Sequence, residues 1–167
     1  RAFTAGNDIG DFLNADPESR KDGKQSPAMD LVHRLIELDK PVIAAVHGNA
    51  TGIGTTLLLH CDLVIAADSA RFYTAFINLG LVPEAGSSLI LPGLVGRQNA
   101  NRLLMAGDSL SADEALRMGL ANRVVADGEG LDTARALLDD GDPDMREMGA
   151  EEVRVGEQRA ADLEEEL

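Results

Sequence analysis

The chain has few aromatic residues, a single cysteine and a shortage of basic side chains. None of its 167 residues is Trp and only 3% are aromatic, so its core must consist mainly of aliphatic side chains. The lone cysteine, Cys61, excludes an intramolecular disulfide and is typical of a reducing, cytoplasmic protein. A net charge of -14 argues against nonspecific binding to nucleic acid or an anionic membrane. No apolar run approaches the roughly 20 residues that span a bilayer.

What the sequence does contain predicts an α/β domain. Apolar residues at helical spacing predict a helix over 29–38, and the β-branched runs at 42–46 and 63–67 predict buried parallel strands. Ser111 and Glu114 have the spacing of a capping box and mark a helix start. The further predicted elements are short strands at 71–73 and 122–125 and helices at 55–59, 89–94, 99–106 and 112–118. Alternating strands and helices favour a layered core with right-handed crossovers.

Two glycine turns, at residues 5–7 and within the glycine-rich segment 47–54, follow predicted strands. The second turn precedes a predicted helix, where backbone N–H groups lack partners within the helix. Two such donors aimed at one oxygen would form an oxyanion hole. The alternative is that the glycines only permit tight turns, and their spacing alone leaves both interpretations open. The Gly-x-Gly is not a dinucleotide fingerprint, because the required third glycine is absent.

One carboxylate, Glu84, lies between Pro83 and a small-residue turn in an otherwise apolar stretch. An acid in such surroundings is costly unless it is hydrogen-bonded or kept protonated, which is typical of a proton-transfer residue. The alternative is an exposed acid in an ordinary Pro-Glu turn. Position in the sequence does not decide between the two.

Four blocks of sequence, in this order, resemble the crotonase (enoyl-CoA hydratase/isomerase) superfamily. They are residues 3–9, 41–54, 61–72 and 107–125. The resemblance implies a crotonase-like spiral of ββα units over residues 1–126, with a C-terminal helical region at 127–167. It also leads us to expect that N-terminal strands of this core precede residue 1, and that the chain is either trimmed or interrupted near residue 138.

In that family, two glycine turns bind the carbonyl of a coenzyme A thioester. The resemblance implies that the oxyanion-hole donors here are the N–H groups of Asn7 and Ile53. The residues that it implies for substrate binding are Arg1, Ala5, Gly6, Asp8, Ile9, Gly52 and Gly54. Arg1 would meet the coenzyme A phosphates, and Asp8 would also cap a helix. The resemblance implies no cofactor besides the coenzyme A of the substrate. It implies a homotrimer or hexamer.

The two catalytic glutamates of family hydratases fall at Thr56 and Phe76 in this sequence, so both carboxylates are missing. Glu84 and its surroundings look like the single catalytic glutamate of the Δ3,Δ2-enoyl-CoA isomerase branch. This likeness implies that Glu84 removes a proton from C2 of a 3-enoyl-CoA and returns it at C4. Two alternatives stay open. One is an enoyl-CoA hydratase-like enzyme acting on another acyl-CoA, or on a ring substrate, and the other is a non-catalytic binding module.

The remaining polar candidates lack the spacing of a metal site or a nucleophile. We expect structural or exposed positions for them. They are the histidines His33, His47 and His60, the serines Ser87 and Ser88, the acids Asp62 and Asp68, and the loop lysines Lys21 and Lys24.

Overall fold

The computed structural model describes residues 2–6 and 26–139, and two three-stranded sheets lie within these ranges. The strands are β1 (Ile43–Val46), β2 (Asn49–Thr51), β3 (Leu63–Ala67), β4 (Arg71–Tyr73), β5 (Leu110–Ser111) and β6 (Arg123–Val125). The helices are α1 (Pro27–Glu37), α2 (Ile53–Thr56, continued by a 3₁₀ turn over Leu57–His60), α3 (Phe76–Leu79), α4 (Ser87–Val95), α5 (Arg97–Asn101, continued by a π turn over Arg102–Ala106), α6 (Ala112–Met118) and α7 (Gly130–Asp139). The predicted α/β class is confirmed.

Successive ββα units stack so that equivalent strands pair in parallel. In the first sheet β1 pairs with β3, and β6 adds to the other edge of β3. In the second sheet β2 pairs in parallel with β4, and the short β5 closes the edge antiparallel to β4. Thr4 pairs in parallel with Ala50 and thereby extends the second sheet. The predicted parallel pairing of the strands at 42–46 and 63–67 is confirmed.

Four local predictions were incomplete. The predicted glycine-rich turn at 47–54 contains strand β2, whose three residues carry too weak a local pattern and are held by pairing with β4 and Thr4. Helix α3 was not predicted, because its single turn is too short to show a period, and the two-residue strand β5 was missed for the same reason. The predicted helix at 99–106 changes from α to π geometry after Asn101.

Two helices, α1 and α6, begin with a side-chain cap. The Ser26 hydroxyl accepts a hydrogen bond from the Met29 N–H at the start of α1. At α6 the predicted capping box is confirmed, because Ser111 and Glu114 each accept a hydrogen bond from the other's backbone N–H. The bond from the Ser111 N–H, followed by that from Arg102, lowers the pKa of the Glu114 carboxyl.

The main core is aliphatic apart from Phe3 and Phe72, as the composition predicts. A smaller cluster packs Ala134 of α7 against Ile43 and Ile65 on the other face of the first sheet. Cys61 packs against the main core, and burial, followed by the charge of Asp62, raises the pKa of its thiol to about 12. The thiol therefore stays protonated near neutral pH and is not a nucleophile. No helix in the described ranges is both long and apolar enough to cross a membrane.

Gly54 allows α2 to pack closely on the 2–6 segment. A Cβ placed on Gly54 would collide with Cγ2 of Thr4 and lie 3.2 Å from its Cβ. Because a β-branched side chain has little rotamer freedom, we expect Gly54→Ala to lower the free energy of unfolding by about 1–3 kcal/mol. Urea unfolding of the full chain measures the change.

Two further variants separate this clash from the general effect of a helical alanine. Gly93 lies in α4 with no atom within 4 Å of an added Cβ, so Gly93→Ala should gain up to about 1 kcal/mol. Thr4→Ser removes Cγ2 but keeps the hydroxyl that accepts from the Gly6 N–H at 3.1 Å, so it should restore most of the stability lost in Gly54→Ala. A Gly54→Ala chain as stable as the wild type would contradict the assignment.

Candidate active site

The two predicted glycine turns lie side by side. The Thr4 N–H donates to the Asn49 carbonyl at 3.0 Å, and the Thr51 N–H donates to the Thr4 carbonyl at 3.0 Å. Just beyond this pairing both segments enter their glycine turns, and a Cβ placed on Gly52 would lie 3.9 Å from the Gly6 Cα. The structure thus brings together two turns that are far apart in the sequence.

Both turns need glycine for a physical reason. Gly6 has a φ of +91° and Gly52 a φ of +57°, a region that side-chain-bearing residues seldom adopt. A Cβ on Gly6 would also lie 3.1 Å from the Thr51 carbonyl oxygen. The Gly52 N–H donates to the Tyr73 carbonyl at 2.7 Å and so locks the second turn onto β4. These steric roles do not exclude that the two turns also present backbone N–H donors to a ligand.

Ile53 is the first residue of α2, and its N–H has no partner within the helix. Among residues 2–6 and 26–139 no acceptor is recorded for this N–H, whereas the preceding Gly52 carbonyl accepts from the Thr55 and Thr56 N–H groups. The Ile53 N–H is therefore suited to donate to a ligand. Asn7, the other predicted donor, lies outside the described residues. So do three of the predicted substrate-binding residues, which are Arg1, Asp8 and Ile9.

The two positions at which family hydratases carry glutamates are filled by buried residues without a carboxyl group. The Thr56 hydroxyl points back into its own helix and donates to the Gly52 carbonyl at 3.5 Å. Phe76 is 4% exposed at the start of α3. The neighbouring Thr55 hydroxyl donates to the Ala50 carbonyl at 2.6 Å and accepts from the Tyr73 N–H at 3.1 Å, which ties β2 to β4. These groups support the fold and leave no acid at either position.

Glu84 begins a tight turn that hydrogen bonds hold on both sides. Ala85 and Gly86 both have positive φ, at +51° and +67°. The Glu84 carbonyl accepts from the Ser87 N–H at 2.9 Å and from the Ser87 hydroxyl at 2.6 Å. The next carbonyl, of Ala85, is 2.8 Å from Nε2 of His60. The turn is thus held by a local serine and by a histidine 25 residues earlier in the chain.

Burial raises the pKa of the Glu84 carboxyl above its ordinary value. The surroundings differ in part from those expected from the sequence. Phe76 is buried, but Ile77, Leu81 and Val82 are exposed, with 83% of Val82 accessible. Ile77 lies in the short helix α3 and the other two residues follow it, and all three side chains are too exposed to shield the site from water by themselves.

The other polar candidates within the described residues mostly occupy structural or exposed positions, as expected, whereas Lys21 and Lys24 lie outside those residues. Asp62 accepts a hydrogen bond from the Val42 N–H at 2.8 Å, and His47 contacts the Phe3 ring edge-on. His33 and Ser88 are exposed. No group of three or more His, Cys, Asp or Glu side chains is arranged to hold a metal in the part of the chain that the structure describes.

Sequence reasoning assigned no particular partner to His60 or Ser87. Ser87 could have been identified from its place in a small-residue turn, because serine hydroxyls bond to backbone groups a few residues away. His60 had no such signal, because its partner lies far away in the sequence. A groove of about 420 Å³ between α1 and the loop before β3 includes His60 in its lining but none of the predicted site residues. This groove is therefore not the predicted acyl site.

The chain matches the family model described as enoyl-CoA hydratase/isomerase over residues 1–141. It is 43% identical over 148 residues to the 1,2-epoxyphenylacetyl-CoA isomerase of Escherichia coli (strain K12), which covers 82% of the chain and 53% of that relative. It is 46% identical over 103 residues to the carnitinyl-CoA dehydratase of Salmonella agona (strain SL483), which covers 62% of the chain and 40% of that relative. The chain spans about half the length of the curated relatives that it matches, or less.

A solved enoyl-CoA hydratase/isomerase from Pseudoalteromonas atlantica T6c superimposes with a TM-score of 0.73. The two chains are 43% identical over the aligned part, which covers 81% of this chain and 52% of the other. At this identity the likeness extends to sequence as well as fold. The expected crotonase-like architecture is thereby confirmed for the aligned part.

The raised pKa of Glu84 predicts a pH-dependent cost in stability. The folded protein holds the Glu84 proton to higher pH than the unfolded chain does, so the unfolded chain ionises first as the pH rises. Between the ordinary carboxyl pKa and the raised one, the wild type should therefore lose stability relative to Glu84→Gln, which cannot ionise. Urea unfolding across this pH range measures the difference.

The two stability curves should converge below the ordinary carboxyl pKa and stay apart above the raised one. Glu129→Gln, at an exposed position before α7, is the matched control for the replacement of a glutamate by glutamine. Curves for Glu84→Gln and the wild type that stay parallel over the whole pH range would contradict the raised pKa of Glu84.

Proposed function

The chain belongs to the enoyl-CoA hydratase/isomerase (crotonase) family, and on that premise we propose that it moves the double bond of a 3-enoyl-CoA to the 2-position with Glu84 as the only acid/base group. The observation that carries the proposal is the contrast between three positions. Thr56 and Phe76 offer no carboxyl, whereas Glu84 sits in a held turn with a raised pKa. A single carboxyl in this state suits a reaction that takes up one proton and returns it.

In the proposed reaction, the thioester carbonyl oxygen accepts hydrogen bonds from the N–H groups of Ile53 and Asn7. This interaction makes the C2 proton more acidic, and Glu84 removes it. The electrons spread into a dienolate whose negative oxygen the two donors stabilise. The protonated Glu84 then returns the proton at C4, and the double bond moves from C3–C4 to C2–C3. One group acts first as base and then as acid, so no bound water takes part.

Hydration would need more than this site offers. Adding water to a 2-enoyl thioester requires groups that hold and activate the water. The Thr56 hydroxyl is already bonded to a backbone carbonyl, and Phe76 has no polar atom. These facts support isomerisation over hydration for this chain, although one relative is named a carnitinyl-CoA dehydratase.

A second candidate is isomerisation of an aromatic acyl-CoA epoxide. The relative named 1,2-epoxyphenylacetyl-CoA isomerase matches 82% of the chain, compared with 62% for the dehydratase. The same oxyanion-hole donor and the same Glu84 would serve that substrate. The two candidates differ in the acyl group and not in the residues invoked.

We further propose that the working protein needs no cofactor besides the coenzyme A of its substrate. Arg1, Ala5, Gly6, Asp8, Ile9, Gly52 and Gly54 would line the thioester and coenzyme A site. The working protein would be cytoplasmic and assemble as a homotrimer or hexamer. A module that binds acyl-CoA without turnover remains the non-enzymatic alternative, and retained Glu84 argues against it.

Replacing the proposed base tests the function directly. With a 3-enoyl-CoA as substrate, we expect Glu84→Gln to lower kcat by about 10²- to 10⁴-fold with little change in KM. Formation of the conjugated 2-enoyl thioester is followed by its ultraviolet absorbance, and Glu129→Gln serves as the active control. A Glu84→Gln chain that converts the 3-enoyl-CoA at the wild-type rate would contradict the proposal.

A panel of substrates separates the alternatives. Turnover of an aromatic acyl-CoA epoxide in preference to the 3-enoyl-CoA favours the second candidate. Incorporation of solvent oxygen at C3 of a 2-enoyl-CoA favours a hydratase-like reaction. Tight binding of every thioester with no turnover favours a binding module.

Removing the proposed oxyanion-hole donor gives an independent test. Proline is tolerated at the first position of a helix, so Ile53→Pro deletes the N–H without removing a helical hydrogen bond. We expect it to lower kcat by about 10²- to 10³-fold. Ile53→Ala keeps the N–H but removes the same buried side chain, so it should retain most of the activity. Equal losses in both variants would show that packing, and not the donor, matters at this position.

A further inference from the structure

We propose that His60 is a positioning residue that holds the Glu84 turn at a set place relative to the Ile53 N–H. This inference rests on the proposed function, because it assigns His60 to the same site. His60 would not touch the substrate and would act only through the backbone of the turn.

The hydrogen bond that carries the inference joins two distant parts of the chain. Nε2 of His60 is 2.8 Å from the Ala85 carbonyl oxygen. Because a carbonyl can only accept, Nε2 must carry the hydrogen. Both the neutral ring with this tautomer and the charged ring can donate from Nε2, so the bond does not depend on the charge of His60.

The turn that receives this bond needs to be held. Ala85 adopts a φ of +51°, which is unfavourable for a residue with a Cβ. Such a conformation persists only where its surroundings stabilise it, and such conformations cluster at functional sites. Ala85 is buried and its carbonyl is bonded to His60, while the preceding carbonyl, that of Glu84, is bonded to Ser87. The ring and the serine together hold the two peptide groups that flank the strained residue.

The same helical segment also carries the proposed oxyanion-hole donor. Helix α2 and its 3₁₀ turn run without a break from Ile53 to His60. Leu57 and Leu58, between the two ends, are each 2% exposed in the main core. One buried segment therefore presents the Ile53 N–H at its first residue and the bond to the Glu84 turn at its last. A proton shuttle needs the base and the carbonyl binding site at a fixed separation, which this segment supplies.

The test compares His60→Leu with His60→Gln in the full chain. Leucine removes the donor at similar size, whereas the glutamine Nε2 is as many bonds from Cα as the histidine Nε2. We expect His60→Leu to lower kcat about 10- to 100-fold with KM within about twofold, and His60→Gln to restore most of kcat. His33→Leu, on the exposed face of α1, is the matched control and should leave kcat unchanged.

A second measurement needs no substrate. Carbon-13 NMR of the full chain, labelled in its glutamate side chains, follows the titration of Glu84. We expect His60→Leu to move the Glu84 pKa toward the ordinary carboxyl value, because a looser turn admits water, and His60→Gln to leave it raised. If His60→Leu does not fold, His60→Asn replaces it, because its amide is one bond too short to reach Ala85.

The outcomes separate this inference from the proposed function. Full activity in Glu84→Gln contradicts the proposed function, and the NMR titration still decides whether His60 holds the turn. An unchanged kcat and an unchanged Glu84 pKa in His60→Leu overturn the inference. It is also overturned if His60→Gln is as impaired as His60→Leu, because then the ring shape and not the donor is needed.

Discussion

The parallel pairing of Thr4 with β2 is the constraint on which the candidate site depends. Two backbone hydrogen bonds, each of 3.0 Å, align the 2–6 segment with the strand that leads into Gly52. The absence of a side chain at Gly54 then lets α2 approach Thr4. If either condition failed, the two glycine turns would no longer lie side by side. The relative placement of the two glycine turns is therefore set by sheet pairing, and only secondarily by the glycines.

The Glu84 turn shows how stability can be given up at a site. A half-buried carboxyl with a raised pKa destabilises the folded state once it ionises, and Ala85 is held in an unfavourable conformation. Both costs are opposed by bonds from Ser87 and His60 to consecutive carbonyls. This combination is what a proton-transfer residue needs, since the group must stay in place while its charge changes.

The sequence predicted those helices and strands whose formation depends on residues close together in the chain. The apolar spacing at 29–38 predicted α1, the β-branched runs predicted β1 and β3, and Ser111 with Glu114 predicted the start of α6. The elements that were missed are β2, β5 and α3, each of only two to four residues. Short segments carry almost no periodic signal, and pairing or packing with distant residues decides their structure.

The sequence by itself determined the α/β class, the two glycine turns and the loss of acids at positions 56 and 76. It also singled out Glu84, because an ionised acid between Pro83 and small residues in an apolar stretch destabilises the fold unless it is hydrogen-bonded or kept protonated. Only the tertiary structure decided that the turns meet and that Ile77, Leu81 and Val82 are exposed. The hydrogen bond between His60 and the Ala85 carbonyl likewise exists only in the folded chain. A hydrogen bond between residues 25 positions apart has no local pattern, because it forms only when the strands between them have paired.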